Sequence, residues 1–394
     1  MNLDSATLKF RALICRLAPA VALALIALPS WCSNNAADEV PAVVLIGFAG
    51  PLSGASASIG QSMEHAVEMA LTEANAHPLR IDGKSIQLRI LSQDDEGKPR
   101  TAAIVAGYLA KAGAVAVVGH WQSTASLSAA PIYRAAGIPQ ISPGSSNYQL
   151  TANGDKNIFR VVGRDKDIAY RCAQIAQHTL QAKRIVIIND DTIYGSTLAS
   201  FFSESLEPQQ GMLVSHYSVN NTTSDFNVVL NALKTNHPDL VFFGGQMHQA
   251  AVLQTNLKRV GITANLIAPG IVDPDYLNLT GAAGEGSLGV STGIPQERMR
   301  GWKKFKDRYS AIFGDHIDYY APFAYDAANA IIAAIKQANS VAPEKLIAAL
   351  HSLRYQGLTG PISFDAQGNL NHPTYTLFRV QSGKWQPVES FGGK

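Results

Sequence analysis

Residues Val43-Val-Leu-Ile-Gly-Phe-Ala-Gly-Pro-Leu-Ser-Gly54 read as a buried strand running into a small-residue turn, and Ser62 to Asn75 reads as the helix that follows. An apolar run too short for a buried helix, a turn of Gly, Pro and Ser, and an amphipathic window make the first unit of a parallel α/β sheet. The same alternation recurs along most of the chain. Ile86–Leu91 precedes a helical window over Thr101–Lys111, and Ala114–Val118 precedes one that runs to Ala136. Pro139–Ser142 is a short fourth strand. In open sheets of this kind ligands bind beyond the carboxyl ends of the strands, where turns present N–H groups and hydroxyls.

The pattern then restarts. A helix over Asp167–Leu180 leads to the strand Arg184–Ile188, the turn Asn189–Gly195 and a helix to Leu206. Met212–Val219, Asp239–Phe243, Asn265–Ala268 and Leu288–Ser291 read as strands, with helices over Phe226–Thr235 and Gln249–Val260 between them. Two βα series of similar size predict two similar lobes. From Pro295 the chain turns helical over Gln296–Phe313, Pro322–Ala338 and Ala342–Leu353, and residues 355–390 read as short strands with turns. This late block packs on either lobe by sequence alone; a return to the first makes a hinge of several strands.

The N-terminus carries Lys9, Arg11 and Arg16, then the apolar run Leu17–Leu28, then small and polar residues through Ala37. That run falls short of the ~20 residues a membrane span needs, and the layout fits an export signal over residues 1–37. Cys32 offers lipid attachment as an alternative, although the bulky Trp31 precedes it where a small residue is wanted. The expected product is a soluble protein outside the cytoplasm. Asp4 leaves with the three basic residues, so of 32 Lys+Arg and 30 Asp+Glu the processed chain keeps 29 of each. A neutral balance without a basic stripe argues against nucleic acid. Only Cys172 is sure to remain, which makes neither a disulfide framework nor a cysteine metal site.

No nucleophile elbow, P-loop, dinucleotide fingerprint or close histidine pair occurs, so neither an enzyme, a cofactor nor a metal is expected. Asp94-Asp95-Glu96 lacks the spaced ligands of a calcium loop and reads as a solvated acidic turn. The informative turns are Gly119-His-Trp-Gln-Ser-Thr124 and Ser142-Pro-Gly-Ser-Ser-Asn147. Ser123, Ser146 and nearby backbone N–H groups there suit a carboxylate, held by neutral donors that permit release. Ser123 as a simple helix cap is the competing reading. Trp121 offers an apolar wall, and Tyr194 occupies the matching turn of the second series.

These segments carry a family likeness. Gly50-Pro-Leu-Ser-Gly54, Asp94-Asp95, Gly119-His120 with Ser123, Ile141-Ser-Pro-Gly144, Asp191…Tyr194-Gly195, Phe243-Gly-Gly245 and Tyr325-Asp-Ala327 resemble the type I periplasmic solute-binding proteins, in particular the leucine/isoleucine/valine-binding proteins of ABC importers. The likeness runs from about Val43 to about Val380. It implies an α/β fold of two Rossmann-like lobes joined by a three-segment hinge. Lobe 1 is expected over 38–163 plus 294–374, and lobe 2 over 164–293 plus 375–394.

The resemblance implies capture of one hydrophobic or branched-chain amino acid, or a related small amide or carboxylate, by a monomer serving ABC permease and ATPase subunits. A ligand sensor of the same fold, signalling to a membrane receptor or regulator, is the alternative. By similarity the carboxylate meets Ser123 and Ser146 with backbone from Trp121 and Gly144; Tyr194 crosses from the other lobe, and Gln246, Tyr320 and Ile59 line the cleft. The chain departs from the pattern where amino-acid binders place a Glu for the ammonium, since it has Gly270, with Asp273 three residues on as a possible substitute. Ile59 stands for a tryptophan, Trp121 for a smaller aliphatic, and Gly97 and Gln122 for a cysteine pair.

Overall fold

A computed structural model of the chain describes residues 40–393. The expected export signal, residues 1–37 with Cys32, lies outside the described residues.

The first series comprises β1 (Ala42–Gly50), α1 (Ala57–Asn75), β2 (Leu79–Ile81), β3 (Lys84–Asp94), α2 (Pro99–Lys111), β4 (Ala116–Gly119), α3 (Ser123–Ala136), β5 (Gln140–Ser142), α4 (Gln149–Ala152) and β6 (Ile158–Arg160). Its sheet has the order β2-β3-β1-β4-β5-β6, parallel except where β2 pairs with β3. The second series comprises α5 (Asp165–Gln174), β7 (Arg184–Asp190), α6 (Ile193–Glu204), β8 (Met212–Val219), α7 (Asn227–Asn236), β9 (Leu240–Gly244), α8 (Met247–Arg259), β10 (Asn265–Pro269), α9 (Pro274–Thr280) and β11 (Leu288–Thr292). Three helices follow, α10 (Trp302–Phe313), α11 (Ala321–Ala338) and α12 (Pro343–His351). The chain ends with β12 (Tyr355–Gln356), β13 (Pro361–Ile362), β14 (Thr374–Gln381) and β15 (Lys384–Gly392). The second sheet runs β15-β14-β11-β10-β9-β7-β8, its parallel strands extended by the antiparallel β14 and β15.

Strand order matters for function. In the first sheet the chain goes from β1 to β3 on one side and then to β4 on the other; in the second it goes from β7 to β8 and then to β9. Each reversal leaves a crevice at the carboxyl ends of its two central strands, the place where α/β sheets bind ligands.

The central strands of both sheets are buried on their two faces, which is why they read as unbroken apolar runs. Ile185, Ile187 and Phe242 face one layer with Phe202, their neighbours Val186, Ile188, Val241 and Phe243 the other. Phe202 stacks on Phe242 with ring centroids 4.0 Å apart. The late helices return to the first sheet: Phe305, Phe323, Ile331, Ile335 and Leu346 share a core with Ile46, Phe48 and Met63. The chain therefore passes between the sheets three times, from β6 to α5, from β11 to α10 and from β13 to β14.

Some elements depart from expectation. β2 and β6, three residues each, are too short for periodicity to register. The expected helix over Gln296–Phe313 is broken by Gly301, whose φ of 95° belongs to the left-handed region; a 3₁₀ turn over Gln296–Arg298 precedes it and α10 follows. No helix among the described residues is long and apolar enough to cross a membrane.

The start of α1 lies against the turn after β1. A Cβ at Gly60 would fall 1.9 Å from the Pro51 carbonyl oxygen, so no side chain fits without moving the helix. Gly60→Ala is expected to lower stability by about 1–3 kcal/mol in urea denaturation, and an unchanged midpoint would contradict this packing.

Candidate functional site

The two serine-rich turns of the first half lie side by side because β4 and β5 are parallel neighbours, Val118 facing Ile141. What knits them is His120. Its ring is wholly buried, with Nδ1 2.6 Å from Asp95 Oδ2 and Nε2 3.2 Å from the Tyr133 hydroxyl. Its carbonyl accepts hydroxyls from Ser126 at 3.1 Å, Ser142 at 2.8 Å and Ser145 at 3.3 Å. Ser145 also donates to the Trp121 carbonyl at 3.0 Å. Asp95 thus corrects the reading of a solvated acidic turn: it has no exposed surface and fixes the histidine from which the site hangs. A buried carboxylate is tolerable there because it is paired and also accepts the Gly97 N–H at 2.8 Å.

The expected site residues of this half converge. Ser123 is the first residue of α3, with Gln122 in the cap position, so it is not the helix cap. Its hydroxyl oxygen accepts the Asn147 N–H at 3.4 Å and keeps its own proton to donate. Gly144 lies against Trp121: a Cβ would fall 2.2 Å from the indole Cδ1. The indole meets the Tyr320 ring edge-on, centroids 5.8 Å apart. Ile59, like Trp121 and Tyr320, is partly buried against the same apolar core.

Ser146 leads to two charged groups that the sequence pattern did not single out. Its carbonyl accepts the Asp165 N–H at 2.9 Å, and its hydroxyl lies beside the Asp165 carboxylate. Asp165 is fully buried, and neither carboxylate oxygen has a well-aligned donor. Burial raises its pKa to about 6, against the opposing pull of the Ser146 hydroxyl and the Arg160 charge. Arg160 lies wholly buried behind the second turn, donating to the Ser145 carbonyl and the Thr151 hydroxyl, each at 3.0 Å. Burial lowers its pKa to about 10, which leaves it cationic at neutral pH.

The second half presents its own strand-end turns, tied by Asp190. One Asp190 carboxylate oxygen accepts the N–H and hydroxyl of Thr192, and the other accepts the Gln246 N–H at 3.2 Å. The turns after β7 and β9 are thereby held together, with Tyr194 on one and Gln246 opening α8 on the other. The Tyr194 hydroxyl is desolvated, which raises its pKa, and it lies in the field of Tyr320 from the first half and of Asp165 at the start of α5 in its own half. A Cβ at Gly270 would fall 3.2 Å from that hydroxyl. Asp273 caps α9, accepting the Asp275 N–H at 2.7 Å; it faces Asp318 and lies in the field of Tyr320. The halves also meet where Asn147 donates to the Thr197 hydroxyl at 3.2 Å. Among the described residues no group of three or more His, Cys, Asp or Glu could hold a metal ion.

The strand-end turns of the two sheets approach each other where Asn147 meets Thr197 and where Tyr194 lies in the field of Tyr320. The model of the family described as periplasmic binding protein matches residues 43–384. The chain belongs to that family. An amino acid binding protein of Pseudomonas aeruginosa is 29% identical over 338 residues, covering 85% of this chain and 89% of that protein. A crystal structure of an ABC transporter substrate-binding protein from Desulfitobacterium hafniense in complex with Leu is 26% identical, with TM-score 0.74 over 88% of this chain and 100% of that one. The branched-chain amino acid transporter substrate binding protein LivJ from Streptococcus pneumoniae, solved with isoleucine, superposes with TM-score 0.81 over 89% of this chain and 99% of its own, at 24% identity. The two-sheet α/β architecture of this periplasmic binding protein is therefore the type I fold.

Asp165 gives a pH signature. Its raised pKa means the folded state holds the proton more tightly than the unfolded chain, so its contribution is favourable at low pH and is lost as pH rises from about 4 through about 6. Asp165→Asn is expected to be more stable than wild type by on the order of 1–3 kcal/mol at neutral pH, the gap closing towards pH 4. Denaturation curves that show a gap independent of pH would contradict this environment.

Proposed function

We propose that this periplasmic binding protein is the exported solute-binding component of an ABC importer, and that its solute is a hydrophobic or branched-chain α-amino acid. The observation that carries the reading is the adjacency of Ser146 and Asp165. An α-amino acid bears its carboxylate and ammonium on one carbon, so its receptor needs anion donors and a carboxylate side by side. The hydroxyl of Ser123 and the donors of the Trp121–Gly144 and Ser146 turns receive the carboxylate, with the buried Arg160 charge behind them. Asp165, desolvated and without an aligned donor, receives the ammonium, a task the sequence pattern suggested for Asp273. A charged amine replaces the missing donors, and charge-assisted bonds of this kind contribute most where water is excluded.

The rest of the cleft supports an apolar side chain. Trp121, Tyr320 and Ile59 form one wall, with Tyr194 and Gln246 closing from the other half. In this account the three crossings between the sheets are the hinge, dividing the chain into lobes over 38–163 plus 294–374 and 164–293 plus 375–394, and binding closes them without a covalent step. The monomer works in the periplasm after removal of residues 1–37 and delivers its solute to permease and ATPase subunits. The leucine and isoleucine complexes of the related proteins agree with this solute class.

Isothermal titration calorimetry tests the reading with leucine and its deaminated counterpart, 4-methylpentanoate. Leucine is expected to bind at least tenfold more tightly, a difference of about 1.4 kcal/mol or more. Ser123→Ala combined with Ser146→Ala is expected to weaken leucine by roughly 1–3 kcal/mol per lost bond with the thermal unfolding profile retained. Equal affinity for the acid and the amino acid would reject the role of Asp165, and unchanged leucine affinity in the double variant would reject the serine turns.

A further inference from the structure

Two carboxyl groups meet across the halves. Asp273 belongs to the second half, where it caps α9; Asp318 belongs to the first, in the turn before α11. Each is aimed by its own backbone. Asp273 Oδ1 accepts the Asp275 N–H at 2.7 Å, and Asp318 Oδ1 accepts the Tyr320 N–H at 2.8 Å. The Asp318 N–H is held in turn by the Ser62 hydroxyl at 2.9 Å, which ties this turn to α1. The two side chains lie within hydrogen-bonding reach of each other, and the Asp318 carboxyl also accepts from the Tyr319 backbone N–H. Asp318 is only 4% exposed. Neither group forms an ion pair with Lys, Arg or His among the described residues.

Two carboxylates cannot hydrogen-bond without a proton, and two bare charges at that distance repel. We propose that Asp318 and Asp273 form a proton-dependent latch, in which one shared proton holds the two halves together and its loss favours their separation. The inference rests on the closure reading given above and adds a control to the same site. It requires the proton to be held more tightly in the latched arrangement than when the halves part. Both acids behave in that sense. Burial and then the Asp273 charge raise the pKa of Asp318 to about 7, and burial raises that of Asp273.

The surroundings set the sign. Asp275, on the same helix as Asp273, adds negative charge and strengthens proton retention by both acids. His316, at the exposed end of the turn, opposes it when cationic. The Tyr309 and Tyr320 hydroxyls lie nearby; both are pushed above their ordinary range by burial and remain neutral. When the halves separate, water reaches both carboxyls and each returns to the ordinary carboxylate range. The ratio of latched to open molecules is then constant below that range. It falls by up to about tenfold per pH unit as pH rises towards the latched-state pKa of Asp318, and levels off above it. Since the latched arrangement is the one that encloses the cleft, solute is held more firmly in mildly acidic surroundings and released more readily in alkaline ones.

The test needs no solute, so its failure is distinguishable from failure of the amino-acid reading. Small-angle X-ray scattering of the ligand-free protein, from about pH 5 to about pH 9 at fixed ionic strength, reports the separation of the halves. The wild type is expected to expand as pH rises. Asp318→Asn supplies a permanent donor to Asp273 and is expected to stay compact throughout; Asp273→Asn, the reciprocal change, is expected to do the same if the first variant does not fold. His316→Gln is expected to keep the transition and shift its midpoint upward. A wild-type profile that stays flat, whether compact or open, overturns the proposal, and so does a transition that survives unchanged in both Asn variants.

Discussion

The site depends on one buried contact, the pairing of Asp95 with His120. Strand-end turns are flexible by nature, and a site made from two of them binds weakly unless something fixes their relation. Here the fixed point is a backbone carbonyl. Asp95 and Tyr133 hold the His120 ring from either side, and the carbonyl of the same residue gathers the hydroxyls of Ser126, Ser142 and Ser145. The cost of burying these polar side chains is offset by their hydrogen bonds. Ser123, Trp121, Gly144 and Ser146 then follow as neighbours of a rigid scaffold.

The second half repeats the device with different chemistry. Asp190 uses its two oxygens to join the turns after β7 and β9, and so positions Tyr194 and Gln246. Both halves therefore use a buried aspartate to join two strand-end turns, those after β3 and β4 in the first and those after β7 and β9 in the second. The charges in the cleft are unevenly distributed. Arg160 donates to the Ser145 carbonyl and Asp165 lies in its field, whereas Asp273 and Asp318 face each other without a cationic partner among the described residues' ion pairs. A solute with an anionic head beside a cationic group suits that order, whereas a dicarboxylate does not.

Much of this was legible in the chain. Parallel strands buried on both faces leave apolar runs that are read directly, and even the half-exposed edge strand Met212–Val219 has the bounds expected. Ser123, Gly144, Ser146 and Trp121 fall together because strand-end turns of adjacent parallel strands must. What stayed hidden was pairwise. Asp95 looks like any acid in a polar turn until β1, β3 and β4 bring it to His120. Asp165 looks like an ordinary acid in the first turn of a helix, where the partial positive charge favours one. Its missing donors become visible only once Ser146 and Tyr194 surround it. Asp273 drew attention by lying close in sequence to Gly270; its partner Asp318, far away in the chain, gives no sign of itself in the sequence.

A crystal structure of the leucine complex tests the central claim most directly. The account predicts the leucine carboxylate within hydrogen-bond reach of the Ser123 hydroxyl and of the turn from Gly144 to Ser146, its ammonium on Asp165, and the Tyr194 ring closed over it from the opposite half. Leucine bound with its carboxylate on the second half, or with its ammonium remote from Asp165, would contradict it.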